Sequence, residues 1–229
     1  MFQMQRHAVV IGASRGIGLA VAAHLVSSGW DVTAVSRTPA THGRFHQADV
    51  TDAAQISRLA DEVASRGVDA MLYMGGTWER HAFTSAYAFA QCDDEDLRRV
   101  LDVNLLAPIR LVKALLPALA RSANPKVVLM GALSGLDNYP APEVANSASK
   151  FGMRGAVHAM RTALRAERIG LTVINPGNVA TPEVLGDLGP GAIERGEAVP
   201  LPDLLAVIDC VLAVSRSTCI KEIDLPPMA

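Results

Sequence analysis

At 229 residues, half of them hydrophobic and 19% charged, the chain has the material for one sizeable α/β domain with a large buried core. A net charge of −2 and a pI near 6.3 give no electrostatic footprint for nucleic acid or an anionic membrane surface. Cys92, Cys210 and Cys219 are odd in number and free of C-x-x-C spacing, which argues against a disulfide framework or a metal site and fits a reducing cytoplasm.

The first apolar run, Ala8-Val9-Val10-Ile11, predicts a strand reached within eight residues, with no room for a signal peptide before it. No apolar stretch approaches the ~20 residues that span a bilayer. The strand feeds directly into Gly12-Ala13-Ser14-Arg15-Gly16-Ile17-Gly18, and residues 19–26 follow at helical spacing. A strand that turns into a helix through three glycines presents bare N–H groups and a positive helix end. The first glycine permits the tight turn, the second admits a phosphate, and the third lets helix and strand pack closely. Gly12, Ser14, Arg15, Gly16, Ile17 and Gly18 are therefore candidate contacts to a dinucleotide diphosphate.

A second strand is expected at 32–36, followed by Arg37 where an acidic residue would hydrogen-bond a ribose 2′-hydroxyl. With no acid there, Arg37 and Arg15 can form a guanidinium pair around a 2′-phosphate, which favours NADP over NAD. The plainer reading is two solvated surface arginines. After a short strand near Phe45, Asp49-Val50 is placed to hold an adenine amino group. Asp49 or Thr51 as the N-cap of the next helix explains the same residues equally well.

Further along, 55–65 reads as a helix, and 68–74 as an apolar strand ending at Gly75-Gly76. Residues 93–121 form a long helical region with Leu97, Leu101, Leu105, Ile109 and Val112 as its apolar stripe. A strand at 126–130, a small-residue helix at 147–168 and a strand at 171–174 come next, the last stopped by Asn175-Pro176-Gly177. A helix at 202–215 and a strand at 219–225 complete the chain. This alternation predicts a doubly wound, mostly parallel sheet buried on both faces by helices, one Rossmann-type α/β domain over 1–229. Ligands of such sheets sit beyond the carboxyl ends of the strands. Residues 183–201 follow one such end, are irregular, and are a candidate lid.

Four landmarks stand in order: Gly12-x-x-x-Gly16-x-Gly18, Asn104 within Asp102-Val103-Asn104-Leu105, Ser147-Ala148-Ser149-Lys150, and Asn175-Pro176-Gly177-Asn178-Val179-Ala180-Thr181. Together they resemble the short-chain dehydrogenase/reductase family, from about residue 7 to 225. The resemblance implies NAD(P)(H) binding, reduction of a carbonyl or oxidation of an alcohol, and a homodimer or homotetramer built through the helices at 93–121 and 147–168. It also implies cofactor contacts from Gly75, Gly76, Lys150, Pro176, Gly177, Val179 and Thr181.

The family's catalytic group is Asn, Ser, Tyr and Lys, with Tyr four residues before Lys. Carried over by position, Asn104 and Lys150 match; the bland alternatives are a helix-buried amide and a surface lysine. Asn146 stands in the Tyr position, and Gly131-Ala132 occupies the place of the Ser, with Ser134 two residues late. The usual Asn-Asn-Ala-Gly strand end is Tyr73-Met74-Gly75-Gly76. An amide has no usable proton at neutral pH, so Asn146 can only donate a hydrogen bond and polarise a carbonyl. Tyr139 is the first candidate for a relocated proton donor and His81 the second. Their plainer readings are an aromatic packed under a loop and an exposed histidine. Trp78, Phe83, Leu136 and Tyr139 are expected around a partly apolar pocket. Two readings follow: an NADP(H)-dependent reductase of small carbonyls with altered proton delivery, or a catalytically silent relative that binds the dinucleotide for sensing or assembly.

Overall fold

A computed structural model describes residues 5–228. Seven parallel strands form one sheet in the order β3-β2-β1-β4-β5-β6-β7. They are β1 (His7–Ile11), β2 (Asp31–Ser36), β3 (Arg44–Gln47), β4 (Ala70–Tyr73), β5 (Lys126–Met130), β6 (Gly170–Pro176) and β7 (Glu222–Leu225). The four central strands β1, β4, β5 and β6 are buried along their whole length. Only near-continuous apolar runs can tolerate cover on both faces. The edge strand β3 is largely open to solvent and mostly polar, whereas β7 is half-buried, with Ile223 and Leu225 packed against the core.

The helices are α1 (Gly16–Ser27), α2 (Ala53–Ala64), α3 (Asp94–Leu101), α4 (Ala107–Leu119), α5 (Val144–Ala163), α6 (Pro182–Leu188) and α7 (Leu201–Ala213). One core layer, with Leu59, Leu111, Leu115 and Met153, lies under α2, α4 and α5. The other, with Leu25, Leu204 and Ile208, lies under α1 and α7. The order reverses between β1 and β4, which opens a crevice at their carboxyl ends. Gly12 lines it: at φ 84° a Cβ there would stand 2.8 Å from the Gly75 nitrogen.

The expected helix at 93–121 is continuous but not uniform. Asp93 caps α3 by accepting from the Asp96 N–H, and Asp94, Glu95 and Asp96 favour its positive end. Between α3 and α4 the chain makes a π-helical turn at Asp102–Leu106. The helix expected at 147–168 starts and ends earlier, at 144 and 163. The N-cap of α2 is Asp52, which accepts from Ala54 and Gln55, rather than Asp49 or Thr51. The stretch 183–201, expected to be irregular, holds all but the first residue of α6, which Thr181 caps.

Candidate functional site

The start of α1 meets the sheet where the glycine turn predicts it. Gly12 donates to the Val35 carbonyl at 2.8 Å, holding the turn against β2. A Cβ on Gly18 would sit 2.1 Å from the Gly12 carbonyl oxygen, so helix and strand approach that closely only through bare glycine. At Gly16, φ is 53° and a Cβ would meet only Glu183 Oε2, at 3.8 Å. No side chain caps α1 from the N-cap residue Arg15. The first N–H groups of the helix, with Ser14 and Ile17 half-buried beside them, thus face open space with a positive end charge. Those features fit a diphosphate.

Something already leans toward that charge. The Glu183 carboxylate, on the first turn of α6, lies against the start of α1, where its Oε2 is the atom a Cβ on Gly16 would meet. Its own backbone N–H above all, then the neighbouring Thr181 hydroxyl, Gly16 N–H and Arg15 charge, favour the carboxylate and hold its pKa below the usual value, against the desolvation that burial brings. Nothing in the sequence pattern singled out Glu183. Its position depends on how the segment after β6 folds back.

Around the expected adenosine end, Arg15 and Arg37 are exposed, and neither forms an ion pair among the described residues. The Arg37 carbonyl accepts from Gln47 at 3.1 Å. Asp49 Oδ1 accepts from the Thr51 N–H and hydroxyl, at 2.9 and 2.7 Å, closing a turn before α2. Val50 packs against the core layer under α2. Gly75 and Gly76 follow β4 in extended loop, Gly76 beside the Asn104 amide.

Beyond β6, Pro176 ends the strand and the Gly177 N–H donates to the Leu225 carbonyl at 3.0 Å. A Cβ on Gly177 would stand 2.5 Å from Pro227 Cδ. Val179 and Thr181 are buried, the first bridged to Val199, the second bonded to α6.

The centre of the site is an amide network carried by the π-turn and α5. Asn104, buried, accepts from the Thr77 N–H at 2.9 Å and donates to the Thr77 carbonyl at 2.8 Å, clamping the loop after β4. The same Nδ2 lies 3.4 Å from Asn146 Oδ1 and 3.2 Å from Ser149 Oγ. Asn146, also buried, donates from Nδ2 to Ser134 Oγ at 3.3 Å. A one-turn 3₁₀ segment, Leu133–Gly135, carries Ser134 there. It packs close because a Cβ on Gly135 would meet the Lys150 backbone at 2.9 Å. A hydroxyl two residues late in sequence thus reaches the position-146 side chain.

Lys150 follows Asn146 by one helical turn, on the same face. It is a buried lysine and not a surface one: 6% exposed, with Nζ donating to the Met130 carbonyl at 3.0 Å. Desolvation pushes its pKa down to about 8, so the amine is mainly charged at neutral pH.

The start of α5 is held from afar. Glu79 Oε1 accepts from the Ala145 and Asn146 N–H groups at 2.6 and 3.2 Å, and Tyr87 Oη accepts from Val144 at 3.1 Å. Glu79 is itself buried, and its Oε2 has no hydrogen-bond partner among the described residues. These remote caps replace the side-chain cap that Glu143 does not provide. A capping signal in sequence is read within about three residues, so a partner 66 positions away leaves no trace there.

Two proposed donors are not joined to the network. Tyr139 is 44% exposed and makes no side-chain hydrogen bond among the described residues, although with Ser134 it lines a cavity of about 520 Å³. His81 is exposed, in a left-handed backbone turn at φ 62°. Trp78 and Phe83 pack edge to face beside it, their ring centres 5.7 Å apart.

Comparison with known proteins reaches most of the chain. A curated short chain dehydrogenase, ausX of Aspergillus calidoustus, is 29% identical over 99% of this chain and 88% of its own length. An alcohol dehydrogenase from the archaeon Thermococcus sibiricus, solved with 5-hydroxy-NADP, superposes with a TM-score of 0.80 at 20% identity, covering 98% of this chain and 97% of that one. An actinorhodin polyketide ketoreductase variant solved with NADPH gives 0.82 at 20% identity, over 97% and 96%. Such identities establish the doubly wound fold. Residues 6–186 match the family model for short chain dehydrogenases, and the chain belongs to that family.

Proposed function

We propose that the protein is an NADP(H)-dependent oxidoreductase that transfers hydride between the nicotinamide and a small carbonyl or alcohol, with proton delivery altered from the family pattern. The observation that carries this reading is the buried ammonium of Lys150, held at Met130 and one turn from Asn146. Burying such a group costs stability, and a chain with no use for the reactive end of a cofactor has no reason to bear that cost.

Bound NADPH would supply the hydride. The chain's own groups do the rest. The α1 N–H groups and Arg15 receive the diphosphate, Arg37 the 2′-phosphate, Asp49 the adenine amine, and Gly75, Gly76 and the 176–181 segment enclose the middle of the molecule. Lys150 holds the nicotinamide ribose hydroxyls. Asn146 and Ser134 offer an N–H and an O–H to the substrate oxygen, stabilising charge that develops as hydride arrives. Asn146 gives no proton, so the proton comes through the Ser134 hydroxyl, with Tyr139 across the same cavity as its candidate source. The segment 183–201, with Glu183 at the diphosphate position, acts as lid.

The silent-relative reading draws on one observation. Asn146 is bonded to both Asn104 and Ser134, a closed arrangement that leaves no acid at the reacting centre. Fluorescence titration with both reduced coenzymes tests the shared part. NADPH is expected at micromolar affinity or tighter, NADH weaker, and Arg37→Ala is expected to erase the difference. Equal affinities in the parent protein refute the 2′-phosphate assignment. Turnover of a carbonyl panel then separates enzyme from silent binder.

A further inference from the structure

A cavity of about 730 Å³ opens at the amino ends of β6 and β7, between the end of α5, the turn entering β6 and the residues before β7. Arg161, Arg165, Arg168, Arg216, Lys221 and His158 line it. Among the described residues, none of the four arginines nor Lys221 forms an ion pair. Arg216 donates to the Glu167 carbonyl at 3.0 Å. The nearest carboxylate on β7, Glu222, is already taken by Arg154, with His158 at 3.6 Å.

The arrangement is costly as it stands. Arg161 stands on the last turn of α5, and Arg165 and Arg168 lie in the turn that follows it, so like charges are gathered on one wall without a partner. Arg168 also adopts φ 53°, a left-handed conformation uncommon for a residue with a Cβ. Behind the wall stands another amine. A Cβ on Gly170 would lie 3.3 Å from Lys126 Nζ, and Lys126 is buried, donating to the Ser215 carbonyl at 3.3 Å.

We propose that this cavity is an anion site separate from the dinucleotide cleft, and that it binds a small molecule carrying two or more phosphate groups. Guanidinium forks match phosphate oxygens in pairs. A single phosphate engages one or two of them, so neutralising the set takes several charges on one ligand. The volume suits a small molecule. A second copy of this chain, apposed about a twofold axis through this face, would bring arginines against arginines. The dinucleotide cleft lies at the opposite ends of the same strands, roughly 15–20 Å away at about 3.3 Å per strand residue.

The test is calorimetric titration of the full chain with inorganic tripolyphosphate, alongside NADPH binding by fluorescence. The double variant Arg165→Gln/Arg168→Gly removes two charges at exposed positions and gives the left-handed turn the residue that best tolerates it, so it is expected to fold. Tripolyphosphate is expected to bind one per chain, to lose about tenfold or more in affinity in the variant, and to weaken steeply with added salt. NADPH affinity is expected to stay unchanged. Absence of binding to the parent protein overturns the proposal. So does binding that the double variant leaves intact, and so does competition by NADPH, which would place the anion in the dinucleotide cleft.

Discussion

Replacing Lys150 with Met sets function against stability at one position. The pKa falls from 10.5 to about 8 because burial disfavours the charged form. Charging the amine therefore costs about 3 kcal/mol more in the folded chain than in the unfolded one. Below about pH 8 the amine is charged in both states, and the whole cost is present. Between about 8 and 10.5 the folded chain gives up its proton first. The unfolded chain then binds more protons, and stability rises with pH. At pH 9.5 roughly 1 kcal/mol of the cost remains.

Met has similar length and no charge, but leaves the Met130 carbonyl without its partner, a loss of about 1 kcal/mol. Lys150→Met is thus expected to be more stable than the parent by about 2 kcal/mol at pH 7 and nearly equal to it at pH 9.5. Urea unfolding followed by tryptophan fluorescence reads this directly. With a slope of about 1–3 kcal/mol per molar urea, the pH 7 midpoint rises by roughly 1 M. NADPH binding is expected to weaken in the same variant. A variant less stable than the parent at pH 7, or a stability difference that does not move with pH, refutes the reasoning.

Glu183→Gln removes the negative charge that lies beside Gly16 at the start of α1, and NADPH affinity by calorimetry is expected to rise about two- to fivefold, the range for a charge at a helix end. Unchanged or weaker binding discards Glu183 as a competitor of the diphosphate. Because its carboxyl sits below the ordinary range, any stability it lends is present above the unfolded carboxylate pKa and lost as pH falls through the folded one. Asn146→Tyr restores a phenol one turn before Lys150, and carbonyl reduction with NADPH is expected to rise by about a hundredfold or more. If the variant binds NADPH yet shows no gain across a carbonyl panel, the missing general acid is not what limits the reaction.

The glycine turn into α1 was legible because its determinants are local. The glycines at 12, 16 and 18 are read within seven residues, since turn, phosphate approach and helix packing all act over that span. The strand at 126–130 was placed to the residue, because an apolar run flanked by Pro125 and Gly131 has one way to be buried. The helix ends were less clear. The true cap of α2, Asp52, stands one residue from Thr51, and caps distinguish themselves only by geometry. The π-turn at 102–106 left no mark in a pattern that is apolar at helical spacing on either side.

Sequence by itself determined that this chain alternates strand and helix, that its first strand turns into a helix through three glycines, and that an amide, Asn146, stands four residues before Lys150. These follow from residue identity and short spacing. Only the tertiary structure decided that Ser134 reaches Asn146, that Asn104 clamps Thr77, that Lys150 is buried, that Glu79 caps α5, and that four arginines surround one cavity. Each of these arrangements joins or gathers side chains through packing and burial, and chain order does not encode such distances.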